Sequence, residues 1–196
     1  MASGRGFSAV ALMEIQASRT RARVDATGQP ILLLEQNRAR WDQLLIRRGL
    51  TALSRAVALG GASGPHVLQA AIAACHARAR TAAETDWRAI VGLYNQLTQQ
   101  IPSPVVELNR AVAVGMAFGP AAGLEVIDAL TTEPALASYH LLPAVRADLL
   151  TKLQRWDEAR VELERAAALT RNARERDLLL ARAAECARAL ASAPAS

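Results

Sequence analysis

Residues 144–169, AVRADLLTKLQRWDEARVELERAAAL, decide the fold, because a related pattern of small and large residues stands 36 positions earlier. Leu108-Asn109-Arg110-Ala111 falls on Ala144-Val145-Arg146-Ala147, Gly123 on Ala159, Ile127 on Leu163 and Leu130 on Ala166. At Ala111, Gly123 and Ile127, small residues meet small and large meet large. A repeat of this length holds two helices and a turn, which bury their apolar faces only by stacking on the next pair. The spacing therefore predicts helices that pack on their neighbours in sequence.

Composition agrees outward from the repeat. Alanine occurs 43 times and leucine 27 times in 196 residues, while aromatic residues make up 4%. Good helix formers in that proportion argue against a sandwich or barrel. The expected fold is all-α, with nine antiparallel helices: 7–19, 38–59, 66–78, 86–99, 105–116, 120–130, 138–153, 157–169 and 173–190. Arg155-Trp156-Asp157-Glu158-Ala159 followed by Leu163 and Ala166 is similar to the second helix of a tetratricopeptide repeat (TPR). Trp87, Tyr94, Leu97 and Pro102 look like a poorer, earlier copy. The resemblance implies a TPR-like right-handed array, with residues 81–191 as degenerate repeats and 7–80 as an N-terminal helical part. Residues 1–6 are expected to be a disordered or artificial start, and 192–196 a flexible tail.

The net charge of +5 is uneven: residues 1–100 carry 12 arginines against 6 acids, and the rest is nearly balanced. That excess is modest for a nucleic-acid-binding domain, so no specific DNA binding by this chain alone is expected. The start, MASGRGFSAVALMEIQ, is stopped by Glu14 and lacks a cleavage site, which argues against a signal peptide. The longest stretch without charged side chains, 56–77, is broken by Gly60, Gly61, Gly64 and Pro65, so it cannot span a membrane. A soluble, cytoplasmic chain is expected.

Within the helices, Ile46, Leu50, Leu53 and Val57 form an amphipathic stripe, and Gly49 beside it would let another helix come close. Leu68, Ala71, Ile72 and Cys75 form a second stripe, so Cys75 is read as core; Cys186 is read likewise, both as unpaired thiols. Thr85 is the expected N-cap of the fourth helix. Asp25 to Pro30 spells a turn, and Ile31 to Leu34 an extended segment packed on the bundle. Gln69 and His76, at i and i+7, either line a cleft or satisfy backbone groups between helices; Tyr139 and His140 carry the same two readings. Arg38, Trp41 and Asp42 open the long helix. They are either an interface epitope or, more plainly, a helix start with Asp42 at the positive end, Trp41 anchoring the chain before it and solvated arginines. Asn109 stands where TPR domains face their groove, and Arg110, recurring as Arg146, reads as an inter-repeat contact.

Several segments in order resemble one family: Val10-Ala11-Leu12-Met13, Ala22-Arg23-Val24-Asp25 with Gly28, Leu34-Glu35-Gln36-Asn37-Arg38-Ala39-Arg40-Trp41-Asp42, Gln69-Ala70-Ala71-Ile72-Ala73-Ala74 with His76, Thr85-Asp86-Trp87, Pro102-Ser103-Pro104, Leu108-Asn109-Arg110-Ala111-Val112-Ala113, and Tyr139-His140-Leu141-Leu142. The set is similar to the long C-terminal extension of a subgroup of bacterial extracytoplasmic-function sigma factors. Asn37, where that group more often has Asp, and Glu14, where it is more apolar, depart from it. The two promoter-reading regions of such factors are not found in this sequence, so promoter recognition does not carry over. The resemblance implies a regulatory protein-interaction domain whose partners are the promoter-binding regions of the same sigma factor, the RNA polymerase core or a regulatory protein. The rival reading is a free-standing TPR-like scaffold unrelated to transcription. Enzyme chemistry, a metal and a cofactor are not expected, because His66, His76 and His140 stand at no metal-ligand spacing and no nucleophile–base pair is visible.

Overall fold

Alanine-rich stripes let helices approach closely, and that closeness organises the chain. The computed structural model describes residues 4–26, 28, 31–61 and 64–192. Among them are nine α-helices and no strand, as the composition predicts. The chain divides into two compact units, Met1–Pro102 and Ser103–Ser196. The helix read as an early repeat copy thus belongs to the first unit. The expected disordered start and tail lie largely outside the described residues, although helix already begins at Gly4.

The first unit holds α1 (Gly4–Ser18), α2 (Gln43–Ala56), α3 (Pro65–Arg78) and α4 (Trp87–Gln100). α1 lies against α2 and α3, and α3 against α4. Gly49 makes the first contact possible: a Cβ there would stand 2.7 Å from Ile15 Cγ1 and 3.1 Å from the Ala11 carbonyl oxygen. Ala11, Ile15, Ala52, Leu53, Ala56, Val67, Ala70, Ala73 and Ala74 fill the layer.

Several boundaries differ from expectation. α2 starts at Gln43, not Arg38, because Asp42 caps it, accepting from the Leu44 and Leu45 amides at 2.9 and 3.1 Å. Arg38–Arg40 is instead a separate 3₁₀ turn. The apolar stripe ends at Leu53, since Val57 is 45% exposed where the chain widens into a π turn over Val57–Gly61. α4 is capped by Asp86, which accepts from the Ala89 amide at 2.9 Å, and not by Thr85. Because α3 is covered on two sides, its buried arc takes in residues 67, 68, 70, 72–74 and 76, leaving Cys75 half-buried rather than core. The Ile31–Leu34 segment is not packed along its length; Leu33 joins the Trp41 cluster while Leu32 and Leu34 are exposed. Of the turn read at Asp25 to Pro30, residues 27, 29 and 30 lie outside the described residues; Gly28 has φ +80° and its amide donates to the Asp25 carbonyl at 3.2 Å.

The second unit holds α5 (Pro104–Phe118), α6 (Pro120–Asp128), α7 (Leu141–Lys152), α8 (Trp156–Leu169) and α9 (Ala173–Ser192), each packed on the next. The repeat is visible in its packing. Ala111, Ala147, Ala159, Ile127 and Leu163 are all fully buried, and Gly123 is buried where Ala159 stands one repeat later. A Cβ on Gly123 would meet the Gly115 Cα at 2.8 Å, so the α5/α6 pair is closed backbone to backbone. α7 starts three residues later than expected, after a 3₁₀ turn at Pro134–Leu136. Cys186 is buried and unpaired, as its stripe predicts.

Candidate functional site

Arg38 sits at the centre of the first unit's polar interior. Only 6% exposed, it donates from Nη1 to the carbonyls of His76 (2.8 Å) and Ala79 (3.1 Å), and from Nη2 to Thr85 Oγ1 (2.9 Å). The two carbonyls belong to the C-terminal end of α3, where helical acceptors lack partners, so this cation closes a helix terminus as well as the α3–α4 loop. Its guanidinium lies 5.2 Å from the Trp41 ring centroid, with Arg19 at 5.8 Å. Burial pulls Arg38 below its ordinary pKa while the charge of Glu84 opposes this; Arg19 is lowered by burial, then by Arg23 and Arg38.

Trp41 is 3% exposed and packs with Ala22 and Ile46. The epitope reading of Arg38 and Trp41 is therefore overturned, and so is the solvated half of the plainer one: a buried arginine is held by three oxygens. Asp42 is exposed but committed to its cap. No spacing rule revealed Arg38, because its acceptors lie 38 to 47 residues away in sequence.

Beside this centre a cleft of about 210 Å³ opens, with Gln16, Arg19, Gln69, His76 and Tyr94 as its polar lining. Gln69 and His76 both stand on this cleft, which is the less common of the two readings that their spacing allows. His76 is 9% exposed, meets Trp87 edge to face at 5.2 Å, and its Nδ1 is buried without a partner. Burial first, then the charges of Arg38 and Arg19, lower its pKa to about 4, so the ring is neutral near pH 7. Arg19 donates from Nη2 to Gln16 Oε1, while its Nε is buried and unpartnered. Burial raises the Tyr94 phenol. Arg19, Gln16 and Tyr94 were not anticipated as a group. The i+7 spacing of Trp87 and Tyr94 was a usable signal, but no local pattern brings α4 to the end of α1.

The remaining candidates lie in the second unit. Asn109 is exposed on α5. Arg110 pairs with Glu107 on its own helix, whereas Arg146 bridges Asp128 of α6 (2.9 Å) and Glu162 of α8 (3.0 Å). The expected common inter-repeat role therefore fails for Arg110: the position one repeat before Glu162 is Val126, which offers no charge. His140 Nε2 lies 3.1 Å from Glu175 Oε1, and Glu175 also accepts from Thr170 Oγ1 at 2.5 Å. Tyr139 packs on the core. His140 thus ties the start of α7 to the start of α9. Among the described residues no cluster of three or more His, Cys, Asp or Glu could hold a metal ion, and no helix is long and apolar enough to cross a membrane.

Residues 4–57 match the model of a family of unknown function, DUF6596. The matched segment contains Gln16, Arg19, Arg38, Trp41 and Asp42. The chain is also similar to an uncharacterized protein of Rhizobium meliloti (strain 1021), 44% identical over 165 residues. That match covers 84% of this chain and 38% of the relative, so the chain spans well under half the length of the curated protein it matches. No solved structure matches.

Proposed function

We propose that this chain is the TPR-like C-terminal extension of a bacterial extracytoplasmic-function sigma factor, and that it modulates transcription initiation through protein contacts. The observation that carries this reading is the ordered set of sequence segments from Val10 to Leu142 that resembles that extension. A relative more than twice as long as the matched region is compatible with an extension of a larger polypeptide.

The mechanism is binding. Stacked helix pairs present a face to a guest, and in a single polypeptide the nearest guests are the promoter-binding regions or the polymerase that holds them. A tether turns a weak contact into an intramolecular one at roughly millimolar effective concentration, so an interface too weak to isolate in trans can still control initiation. Arg38 and Trp41 are spent inside the fold, which leaves exposed Asn109 as the contact residue of choice.

A photo-crosslinking residue in place of Asn109, in the longest natural polypeptide carrying this chain, tests the reading in cells. Crosslinks to sigma regions or polymerase subunits are the expected result. Crosslinks confined to proteins outside transcription would favour the free-standing scaffold instead.

A further inference from the structure

We propose that the cleft of the first unit is a binding site for a small organic carboxylate with a flat apolar body. The inference does not depend on the transcription reading; if that reading holds, the site makes the domain a receptor for such a molecule.

The first support is unmet hydrogen bonding. His76 Nδ1 and Arg19 Nε are both buried and both lack a partner, and both residues line the same cleft. Arg38 Nε and Trp41 Nε1 beside them are unpartnered as well, so the polar groups around this cleft have hydrogen-bonding capacity that the fold itself does not use. The second is charge. Arg19 lines the cleft, Arg23 and Arg38 act on it electrostatically, and no carboxylate is among the lining residues. Gln16 Oε1 accepts from Arg19 and, at 3.3 Å, from Arg23 Nη2. A neutral amide oxygen thus occupies the place where a carboxylate oxygen would bind more strongly, by charge-assisted hydrogen bonds.

The third support is shape and polarity. Ile15, Leu33, Ile72 and Ala73 complete the lining. A cavity of about 210 Å³ exceeds the roughly 150 Å³ that accommodates benzene in an apolar protein interior. With one lining arginine and an apolar wall, the site suits a monoanion carried on an apolar ring. A phosphate would need more donors to replace its hydration. Neutral His76, Gln69 and Tyr94 remain to bond a polar substituent on that ring.

Benzoate is the probe, titrated into the intact 196-residue chain by calorimetry and by amide chemical-shift mapping. Saturable one-to-one binding is expected, with shifts at Ile72 and Tyr94. Benzamide should bind at least about tenfold more weakly, and inorganic phosphate should not displace benzoate, since only a carboxylate supplies both charge and ring. Arg19→Gln should weaken binding by about tenfold or more. Gln69→Leu should weaken it severalfold with an unchanged thermal melt, which keeps the test decisive if Arg19→Gln unfolds. Absence of saturable binding, equal binding of benzamide, displacement by phosphate, shifts confined to other surfaces, or undiminished binding by a folded Arg19→Gln would each overturn the proposal.

Discussion

Arg38 is a hub of the first unit, because it joins the end of α3, the loop to α4 and the Trp41 ring. Replacing it by Met leaves two buried oxygens and one half-buried oxygen short of a donor. Arg38→Met should cost on the order of 3 kcal/mol, and Arg38→Lys should recover less than half, since an ammonium cannot reproduce the planar fork. Urea unfolding measures both; full rescue by Lys would show that charge alone matters. His76 gives a signed pH dependence. Folded, its pKa is about 4, against 6.5 for the free group. Between those values the unfolded chain binds more protons, so stability falls as pH is lowered through that window and levels off below it. Between about pH 7 and about pH 5 the native protein should lose about 2 kcal/mol more than His76→Gln does. Equal losses would mean that the ring is already charged in the folded state.

At the scale of elements, glycine separates positions that look alike in sequence. Gly92 is exposed on α4 with nothing near its missing Cβ, whereas Gly123 faces the Gly115 backbone at 2.8 Å. Gly92→Ala should therefore stabilise by about 0.5 to 1 kcal/mol through helix propensity. Gly123→Ala should destabilise by about 1 to 3 kcal/mol, because backbone must move. Thermal melts of the pair check the contrast, and two variants shifting in the same direction would contradict it. The same local logic explains what could be read beforehand. Helix existence, the close approach at Gly49 and the burial of Cys186 all follow from local patterns of a few residues, whereas the Asp42 cap shortened a helix read as starting at Arg38. The roles of Arg38 and Arg19 do not follow from such patterns, since they arise where chain segments dozens of residues apart meet. The missing charge at Val126 likewise makes Arg110 and Arg146 differ although their own positions repeat.

On the scale of the whole molecule, the arginine excess of the first hundred residues is suited at most to salt-sensitive attraction to a phosphate backbone, which carries no sequence information. The chain alone should not distinguish a promoter duplex from random sequence at about 0.15 M salt, where such attraction is screened. A band-shift comparison showing discrimination would refute that. The central claim concerns regulation, and it is most directly tested by transcription in vitro from a promoter served by the proposed parent sigma factor. Three proteins are compared: full-length parent, parent lacking the segment equivalent to this chain, and parent carrying Asn109→Ala, each with a melt to verify folding. The account predicts that deletion changes transcript yield severalfold or more and that folded Asn109→Ala shifts it in the same direction. Equal yields from full-length and truncated protein, with promoter recognition intact, would contradict it.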